Sequence, residues 1–229
     1  MKPEFCASMM CADFSYLERE VKILDASGID VFHIDIMDGR FVDNFGVGYQ
    51  DMKVIRRCTD KPLEAHLMVK NPWNYLDVLK RVGVNIVYIH PEADLDPATT
   101  LERIRKMGFI PGIAINPGTS IASVDCLFYW VDRVLALCVN PGHAGRQYVP
   151  YASKKVRQLL ELGREYDFDV IWDGSCTMEK IEKYVPLGVK GFVLGTSVLF
   201  GKNESYGEIM TDLKQRVRAL VSADGGAQS

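Results

Sequence analysis

The sequence predicts an α/β protein that folds as a single (β/α)8 TIM barrel with parallel strands. Short apolar segments rich in β-branched residues alternate strictly with longer amphipathic segments, eight of each in 229 residues. Such alternation implies parallel strands joined by right-handed crossovers, and eight units in a chain of this length match a closed barrel. A doubly wound open sheet is the alternative, but no G-x-G-x-x-G follows the first strand, which continues into SMMCADF.

Each predicted strand is a short apolar run bounded by polar residues or glycine. In chain order, the predicted strands are Phe5–Met10, Val31–Met37, Leu63–Met68, Ile86–His90, Ile110–Ile115, Val134–Val139, Val170–Trp172 and Gly191–Leu194. The segments between them have apolar residues at helical spacing, and several end in a glycine that can cap a helix. The predicted helices are Leu17–Ala26, Gln50–Cys58, Trp73–Val82, Thr99–Met107, Ile121–Trp130, Tyr151–Tyr166, Met178–Leu187 and Tyr206–Val221. We expect the barrel to occupy residues 1–221 and residues 222–229 to form a flexible C-terminal tail.

The composition is that of an ordinary water-soluble globular protein, with 48% hydrophobic and 25% charged residues. A net charge of −3 provides no basic surface for nucleic acid. No apolar run reaches the ~18 residues of a membrane span, and the start, MKPEFCASMM, is too short and polar for a secretory signal. We therefore expect a cytoplasmic protein that binds neither nucleic acid nor membranes.

Histidines and aspartates mark the candidate site. All four histidines lie on or just beyond predicted strands. In the strand Val31–Met37, the two-residue period places His33 and Asp35 on the face opposite the isoleucines, so both point into the barrel. His66 lies near the end of the third strand, and Asp173 directly follows the seventh. Because active sites of such barrels lie at the carboxyl ends of the strands, these side chains can converge.

Two imidazoles and two carboxylates in one place can bind one divalent metal ion. Mixed nitrogen and oxygen ligands suit Zn, Mn, Fe or Co better than Ca or Mg. The alternative is a buried His–Asp hydrogen-bond network without a metal, and spacing alone leaves both interpretations open.

Three successive strand ends continue into glycine-containing loops, NPGHAGRQ (140–147), DGS (173–175) and GTS (195–197). Barrels often bind phosphate with the loops after strands 7 and 8, through backbone N–H groups that glycine leaves accessible. Each loop could instead be an ordinary turn. Arg146 lies nearby, but backbone amides alone could bind the dianion. The residues predicted to form a phosphate site are Gly142, His143, Ala144, Gly145, Gly174, Ser175, Gly195 and Thr196.

A metal beside carboxylates, with a phosphate site at the same mouth, suits proton transfer next to the carbonyl of a sugar phosphate. A metal ion stabilises the enediolate that forms when a carboxylate removes the proton. No nicotinamide or flavin fingerprint is present.

The sequence resembles the ribulose-phosphate 3-epimerase family to about Ala219, in segments that follow the family's order and spacing. These are SMMCADF (8–14), HIDIMDGRFVDN (33–44), HLMV (66–69), INPGT (115–119), VNPGHAGRQ (139–147), WDGS (172–175) and GTSVLF (195–200). The resemblance implies one divalent metal and a two-base 1,1-proton transfer at C3 of a ketose phosphate. The metal ligands that it implies are His33, Asp35, His66 and Asp173.

The resemblance also implies individual roles. Asp35 and Asp173 would be the two acid/base residues, one for each face of a planar intermediate. Ser8 and His66 would contact the substrate. Three methionines would cover the intermediate and exclude water, although they could instead only fill the core. They are Met10, Met37 and Met68.

Two positions depart from the family's usual pattern. Leu137 stands where a methionine is usual, so one cover of the intermediate would differ. The loop reads GHAG where GFGG is common, so His143 adds a further donor or pH-sensitive group.

The sequence favours a hexose phosphate as the substrate. The segments SMMCAD (8–13), DGSC (173–176) and GTSVLF (195–200) are similar to the D-allulose-6-phosphate 3-epimerase branch, which converts D-allulose 6-phosphate to D-fructose 6-phosphate. The alternative is D-ribulose 5-phosphate 3-epimerase, which forms D-xylulose 5-phosphate. The expected partner is therefore a small-molecule ketose phosphate.

Other classes of function fit less well. An aldolase or decarboxylase would need a lysine at the strand ends, and the predicted strands contain none. A phosphate-binding barrel that acts only as a scaffold would be expected to lose a ligand, and all four are present. The resemblance further implies a homo-oligomer.

Overall fold

Eight parallel strands form a closed barrel in the computed structural model, which describes residues 2–225. Each strand pairs with the next along the chain, and β8 pairs with β1 to close the barrel. The strands are β1 Glu4–Ser8, β2 Val31–Met37, β3 Leu63–Met68, β4 Ile86–Ile89, β5 Ile110–Ile115, β6 Arg133–Leu137, β7 Asp169–Asp173 and β8 Gly191–Leu194. The structure thus confirms the (β/α)8 TIM barrel.

Helices surround the barrel, and seven of them are α-helices within the described range. They are α1 Leu17–Ser27, α2 Tyr49–Cys58, α3 Leu76–Val82, α4 Pro97–Lys106, α5 Ala152–Tyr166, α6 Met178–Tyr184 and α7 Tyr206–Gly225. The last helix continues four residues beyond its predicted end at Val221. The rest of the predicted tail, residues 226–229, lies outside the described residues.

The predicted helix Ile121–Trp130 is wrong. The structure has two short 3-10 helices there, Ile121–Ser123 and Asp125–Trp130. The segment IASVDCLFYW is rich in β-branched and aromatic residues with weak helix propensity, and the carboxylate of Asp125 accepts from the next backbone N–H. Its buried side chains, Val124, Leu127 and Phe128, cover a single turn, and the other residues of the segment are exposed or half-buried. Short 3-10 turns satisfy this pattern better than one α-helix.

Alternation along each strand divides the core into two layers. Ile34 and Ile36 of β2 belong to the outer core between strands and helices. A separate apolar cluster fills the barrel interior, and its members include Val31, Tyr88 and Leu135. Because Val31 belongs to this inner cluster, His33 and Asp35 also face the interior, as the two-residue period predicts. In the described part of the chain, no helix is long and apolar enough to cross a membrane.

Candidate active site

The register between β2 and β3 places the site's residues on successive rungs. His33 pairs with Glu64, Asp35 with His66, and Met37 with Met68. All six side chains are buried, and they follow the inward-facing period of both strands. The two strands therefore present two rungs of ionisable groups below a rung of methionine at the carboxyl end of the barrel.

The structure brings His33, Asp35, His66 and Asp173 together. One potential ligand atom from each lies within 4.8 Å of the others. The Oδ1 atom of Asp35 lies 3.3 Å from Nε2 of His33 and 3.1 Å from Nδ1 of His66. The Oδ2 atom of Asp173 lies 4.0 Å and 3.8 Å from the same two nitrogens. Both carboxylates therefore face the same pair of imidazole nitrogens.

The chemistry of this group fits a divalent cation. Two carboxylates bring two negative charges into a site where three of the four residues are buried. Burying such charges without compensation costs several kcal/mol per ion. A cation between two nitrogen and two oxygen donors would neutralise them, and this donor set suits the first-row transition metals and zinc. The group can therefore hold one divalent metal ion.

Burial and neighbouring charges shift the pKa values of the two carboxylates in opposite directions. Burial would raise the pKa of Asp35, but the adjacent His33 and His66 lower it below its usual value. Burial, together with the charge of Asp35, raises the pKa of Asp173. Two carboxyl groups whose pKa values are pushed apart are typical of acid/base pairs.

A cavity of about 360 Å³ opens directly above these carboxylates, within the size range of small-molecule sites. Ser8 lies at its base, and its hydroxyl donates to Oδ2 of Asp35 at 3.2 Å. The three methionines of the predicted apolar cover, Met10, Met37 and Met68, all line this cavity. Leu137 lines it as well.

The glycine loops after β6, β7 and β8 line the same cavity. All eight residues of the predicted phosphate site are among its lining residues. Several have left-handed backbone conformations, with φ of 108° at Gly142, 75° at Gly145 and 91° at Gly174. A side chain at Gly174 would also press on Val139, 3.0 Å from its Cγ1 atom. The loops after β6 and β7 therefore need glycine for their conformation, which is typical of backbone nests that bind anions.

The loop after β2 is hydrogen-bonded to the loop after β6 at the mouth of the cavity. The side-chain amide of Asn44 donates to the carbonyl of Gly142 at 2.7 Å. His143 contributes to the same junction, with Nε2 3.2 Å from the Oδ1 atom of Asp43. Arg146 lies 3.8 Å from that carboxylate. His143 therefore links two loops as well as lining the cavity.

Sequence reasoning missed the residues that contact the ring nitrogens of His33 and His66 facing away from the two aspartates. Glu64 and His66 are two residues apart in LEAHLM, so the strand period could have placed both inside the barrel. Oε1 of Glu64 lies 2.7 Å from Nδ1 of His33. His90, placed at a strand end but given no role, has its Nε2 atom 2.8 Å from Nε2 of His66.

Fold and site together define a (β/α)8-barrel enzyme with an imidazole–carboxylate centre and a cavity lined by glycine loops. A sequence model of the ribulose-phosphate 3 epimerase family matches residues 4–199. The ribulose-phosphate 3-epimerase of Methanocaldococcus jannaschii is 33% identical over 222 residues, which cover 95% of this chain and 91% of the relative. That of Bacillus subtilis is 30% identical, covering 86% of this chain and 92% of the relative. The chain belongs to the ribulose-phosphate 3-epimerase family, and it is an isomerase of the epimerase type.

Solved structures of other enzymes share the fold. The 3-keto-L-gulonate-6-phosphate decarboxylase of Vibrio cholerae aligns with a TM-score of 0.71 at 14% identity, covering 96% of this chain and 99% of that chain. A phosphoribosyl anthranilate isomerase of Thermus thermophilus aligns with a TM-score of 0.65 at 13% identity, covering 95% and 99%. At these identities the likeness concerns the barrel alone.

Proposed function

We propose that the protein is a metal-dependent ketose-phosphate 3-epimerase that inverts C3 by two-base proton transfer through an enediolate. The observation that carries this proposal is the pair Asp35 and Asp173, which share one donor cluster below a cavity lined by three glycine loops. Inversion of a carbon centre needs an acid/base group on each face of a planar intermediate. Asp35 on β2 and Asp173 on β7 reach that cavity from different strands of the barrel.

In the proposed reaction, one carboxylate removes the C3 proton and the other returns a proton to the opposite face. The direction of the reaction decides which residue acts as the base. A divalent ion held by the four donors supplies electrostatic stabilisation of the negative charge that develops on the substrate oxygens. We propose Zn, Mn, Fe or Co in this role rather than Mg, because half of the donors are imidazoles.

The backbone amides of the three loops bind the substrate phosphate in this proposal. Anchoring the phosphate at one end of the cavity fixes C3 between the carboxylates at the other, and such positioning lowers the barrier. Ser8 and His66 contact the sugar, while the methionines and Leu137 exclude water from the intermediate.

We propose D-allulose 6-phosphate as the substrate, with D-fructose 6-phosphate as the product. The supporting observation is where the distinctive segments lie. Met10 and Cys11 line the cavity on one side, and Ser175 and Cys176 line it beside the phosphate loops. The second candidate is D-ribulose 5-phosphate, favoured by the names of the curated relatives, which are called ribulose-phosphate 3-epimerases.

The first experiment compares the two sugars directly. Protein loaded separately with Zn, Mn, Co, Fe or Mg is assayed for kcat/KM on D-allulose 6-phosphate and on D-ribulose 5-phosphate. A large preference for the hexose supports the substrate proposed here, and a large preference for the pentose replaces it with the second candidate. A phosphate-binding scaffold would turn over neither sugar and would not bind a stoichiometric metal.

The two-base mechanism is tested with Asp173→Asn. This nearly isosteric change should preserve the fold and abolish epimerisation, because one face of the intermediate loses its acid/base group. In D2O, the remaining carboxylate should still exchange the C3 proton of one epimer but not of the other. Epimerisation above a few per cent of wild type, or exchange with both epimers, would contradict the mechanism.

The cytoplasmic location and the homo-oligomeric state stay predictions; light scattering after size-exclusion chromatography would test the latter.

A further inference from the structure

Glu64 is a buried carboxylate that the mechanism proposed above does not use. Its exposed fraction is 0%, and it lies on β3 beside His33, one rung below Asp35 and His66. A carboxylate inside a barrel is unfavourable unless its oxygens are hydrogen-bonded. Both oxygens of Glu64 have partners. Oε1 lies 2.7 Å from Nδ1 of His33, and Oε2 accepts from the hydroxyl of Tyr88 at 3.2 Å.

The contact with Glu64 determines which nitrogen of His33 carries the proton. An ionised carboxylate only accepts hydrogen bonds, so the ring nitrogen beside it, Nδ1, must be the donor. In a neutral imidazole the other nitrogen then keeps its lone pair. That nitrogen, Nε2, is the one that faces Asp35 at 3.3 Å and Asp173 at 4.0 Å. In the neutral ring that metal binding requires, Glu64 thus leaves the Nε2 lone pair of His33 directed at the donor cluster.

The surroundings of Glu64 restrict its movement. Tyr88, which bonds its second oxygen, is itself fully buried in the barrel interior. A side chain at Gly112 on β5 would collide with the Tyr88 ring, so this glycine provides the space that the ring occupies. Toward the opposite end of the barrel, Arg133 forms a two-bond ion pair with Glu4, at 2.8 and 3.0 Å. Glu64 is therefore part of a packed polar layer beneath the site.

We propose that Glu64 is a positioning residue that fixes the tautomer and ring orientation of His33 and thereby preorganises the cation site. The proposal rests on the metal-dependent function proposed above. Groups that hydrogen-bond the outer nitrogen of a metal-binding histidine orient the ring and raise its basicity, and removing them weakens metal binding. His66 shows the same arrangement with a neutral partner, because its Nε2 atom lies 2.8 Å from His90. The charged partner, Glu64, has the larger effect.

The test measures metal affinity and does not depend on turnover. Full-length wild type and Glu64→Gln are titrated with Zn²⁺ and Co²⁺ in competition with a chelator at one fixed pH. We expect dissociation constants 10- to 100-fold larger in the variant, since the shape is kept but the charge on the histidine's partner is lost. The visible absorption spectrum of the Co²⁺ protein should also change, because it reports the geometry and strength of the ligands.

Tyr88→Phe is the matched control. It removes the other hydrogen bond of Glu64, the one at 3.2 Å, and leaves the carboxylate on His33. If this polar layer has a purely structural role, both variants should lose thermal stability. Their metal affinities should then not differ from each other. A positioning role predicts a change in affinity and in the Co²⁺ spectrum that is much larger for Glu64→Gln.

The proposal is overturned if Glu64→Gln binds both metals with wild-type constants and a wild-type Co²⁺ spectrum. If Glu64→Gln does not fold, Glu64→Asp takes its place, since it keeps the charge but shortens the reach to His33; wild-type affinity in that variant would equally overturn the proposal. A wild-type protein that binds metal but turns over no ketose phosphate would refute the proposed function and leave this test intact. Normal turnover by the wild type, together with unchanged metal affinity in the Glu64 variant, would refute only the role proposed for Glu64.

Discussion

Gly46 lies in the loop after β2 and packs against the strand that carries Asp35. Its neighbour Val47 donates a backbone hydrogen bond to the carbonyl of Asp35 at 2.8 Å. A Cβ atom at position 46 would collide with that carbonyl oxygen and would lie only 2.9 Å from the amide nitrogen of Met37. Ordinary contacts begin at 3.4 Å, so Gly46→Ala must separate loop and strand by at least about 0.5 Å, and by more at the oxygen.

This displacement acts on a carboxylate whose position the proposed reaction requires. A shift of about 1 Å at a reacting group can reduce the rate by about 100-fold, and overpacking of a close contact costs about 1–3 kcal/mol of stability. We expect Gly46→Ala to lose about 100-fold in kcat/KM and to lower the free energy of unfolding by an amount in that range. Steady-state kinetics on the preferred ketose phosphate and urea denaturation measure the two effects.

Gly118→Ala is the control for any general effect of replacing glycine in a loop. No atom lies within 4 Å of a Cβ built there, so its stability should stay within about 0.5 kcal/mol of wild type and its kcat/KM should not change. The steric argument is refuted if Gly46→Ala is as stable and as active as Gly118→Ala.

Two further predictions concern the loops around the site. Burial alone would raise the pKa of Glu92, but the imidazole of His90, 3.8 Å away, and the hydrogen bond from the Thr119 hydroxyl lower it from 4.5 to about 2. Because the folded-state pKa is lowered, the ionised group stabilises the fold above pH 4.5 and loses this effect as the pH falls toward about 2. Glu92→Gln should therefore cost about 1–2 kcal/mol at pH 7 and progressively less in acid; denaturation curves that differ equally at every pH would contradict this. Asn44→Ala removes the 2.7 Å bond to Gly142 and should raise KM several-fold with little change in kcat, since it loosens a loop proposed to bind the phosphate without touching the carboxylates. A wild-type KM would show that this link does not hold the loop.

The sequence was sufficient to predict most of the barrel and the cluster at its mouth. The bounds of β2 and β3 match their predictions because both strands are long runs with clear flanking signals. The inward direction of His33 and Asp35 follows from the two-residue period of a strand. Both faces of such a strand are buried, but the polar residues lie on one face only and therefore identify it. Because the parallel strands all end on the same side of the barrel, Asp173 at the end of β7 lies on that side too.

Other features depend on contacts that no local pattern contains. β1 ends at Ser8 rather than at Met10, because Met9–Cys11 form a 3-10 turn into the cavity wall. The bond from Asn44 to Gly142 joins residues 98 positions apart, on loops whose paths depend on the closed barrel. Such contacts are set by tertiary packing, which propensity and periodicity do not describe.

The interior of this barrel shows how a small set of polar residues can be ordered by register alone. A parallel pair of strands with the patterns H-x-D and E-x-H, aligned so that His33 faces Glu64, necessarily sets Asp35 beside His66 on the next rung. Each histidine then presents one ring nitrogen to the donor cluster and the other to a buried partner. A slip of β3 by one residue would turn Glu64 and His66 toward the apolar helix layer and leave His33 and Asp35 without their partners. The chemistry of the site and the register of β2 with β3 therefore depend on the same four residues, and a mutation that weakens one weakens the other.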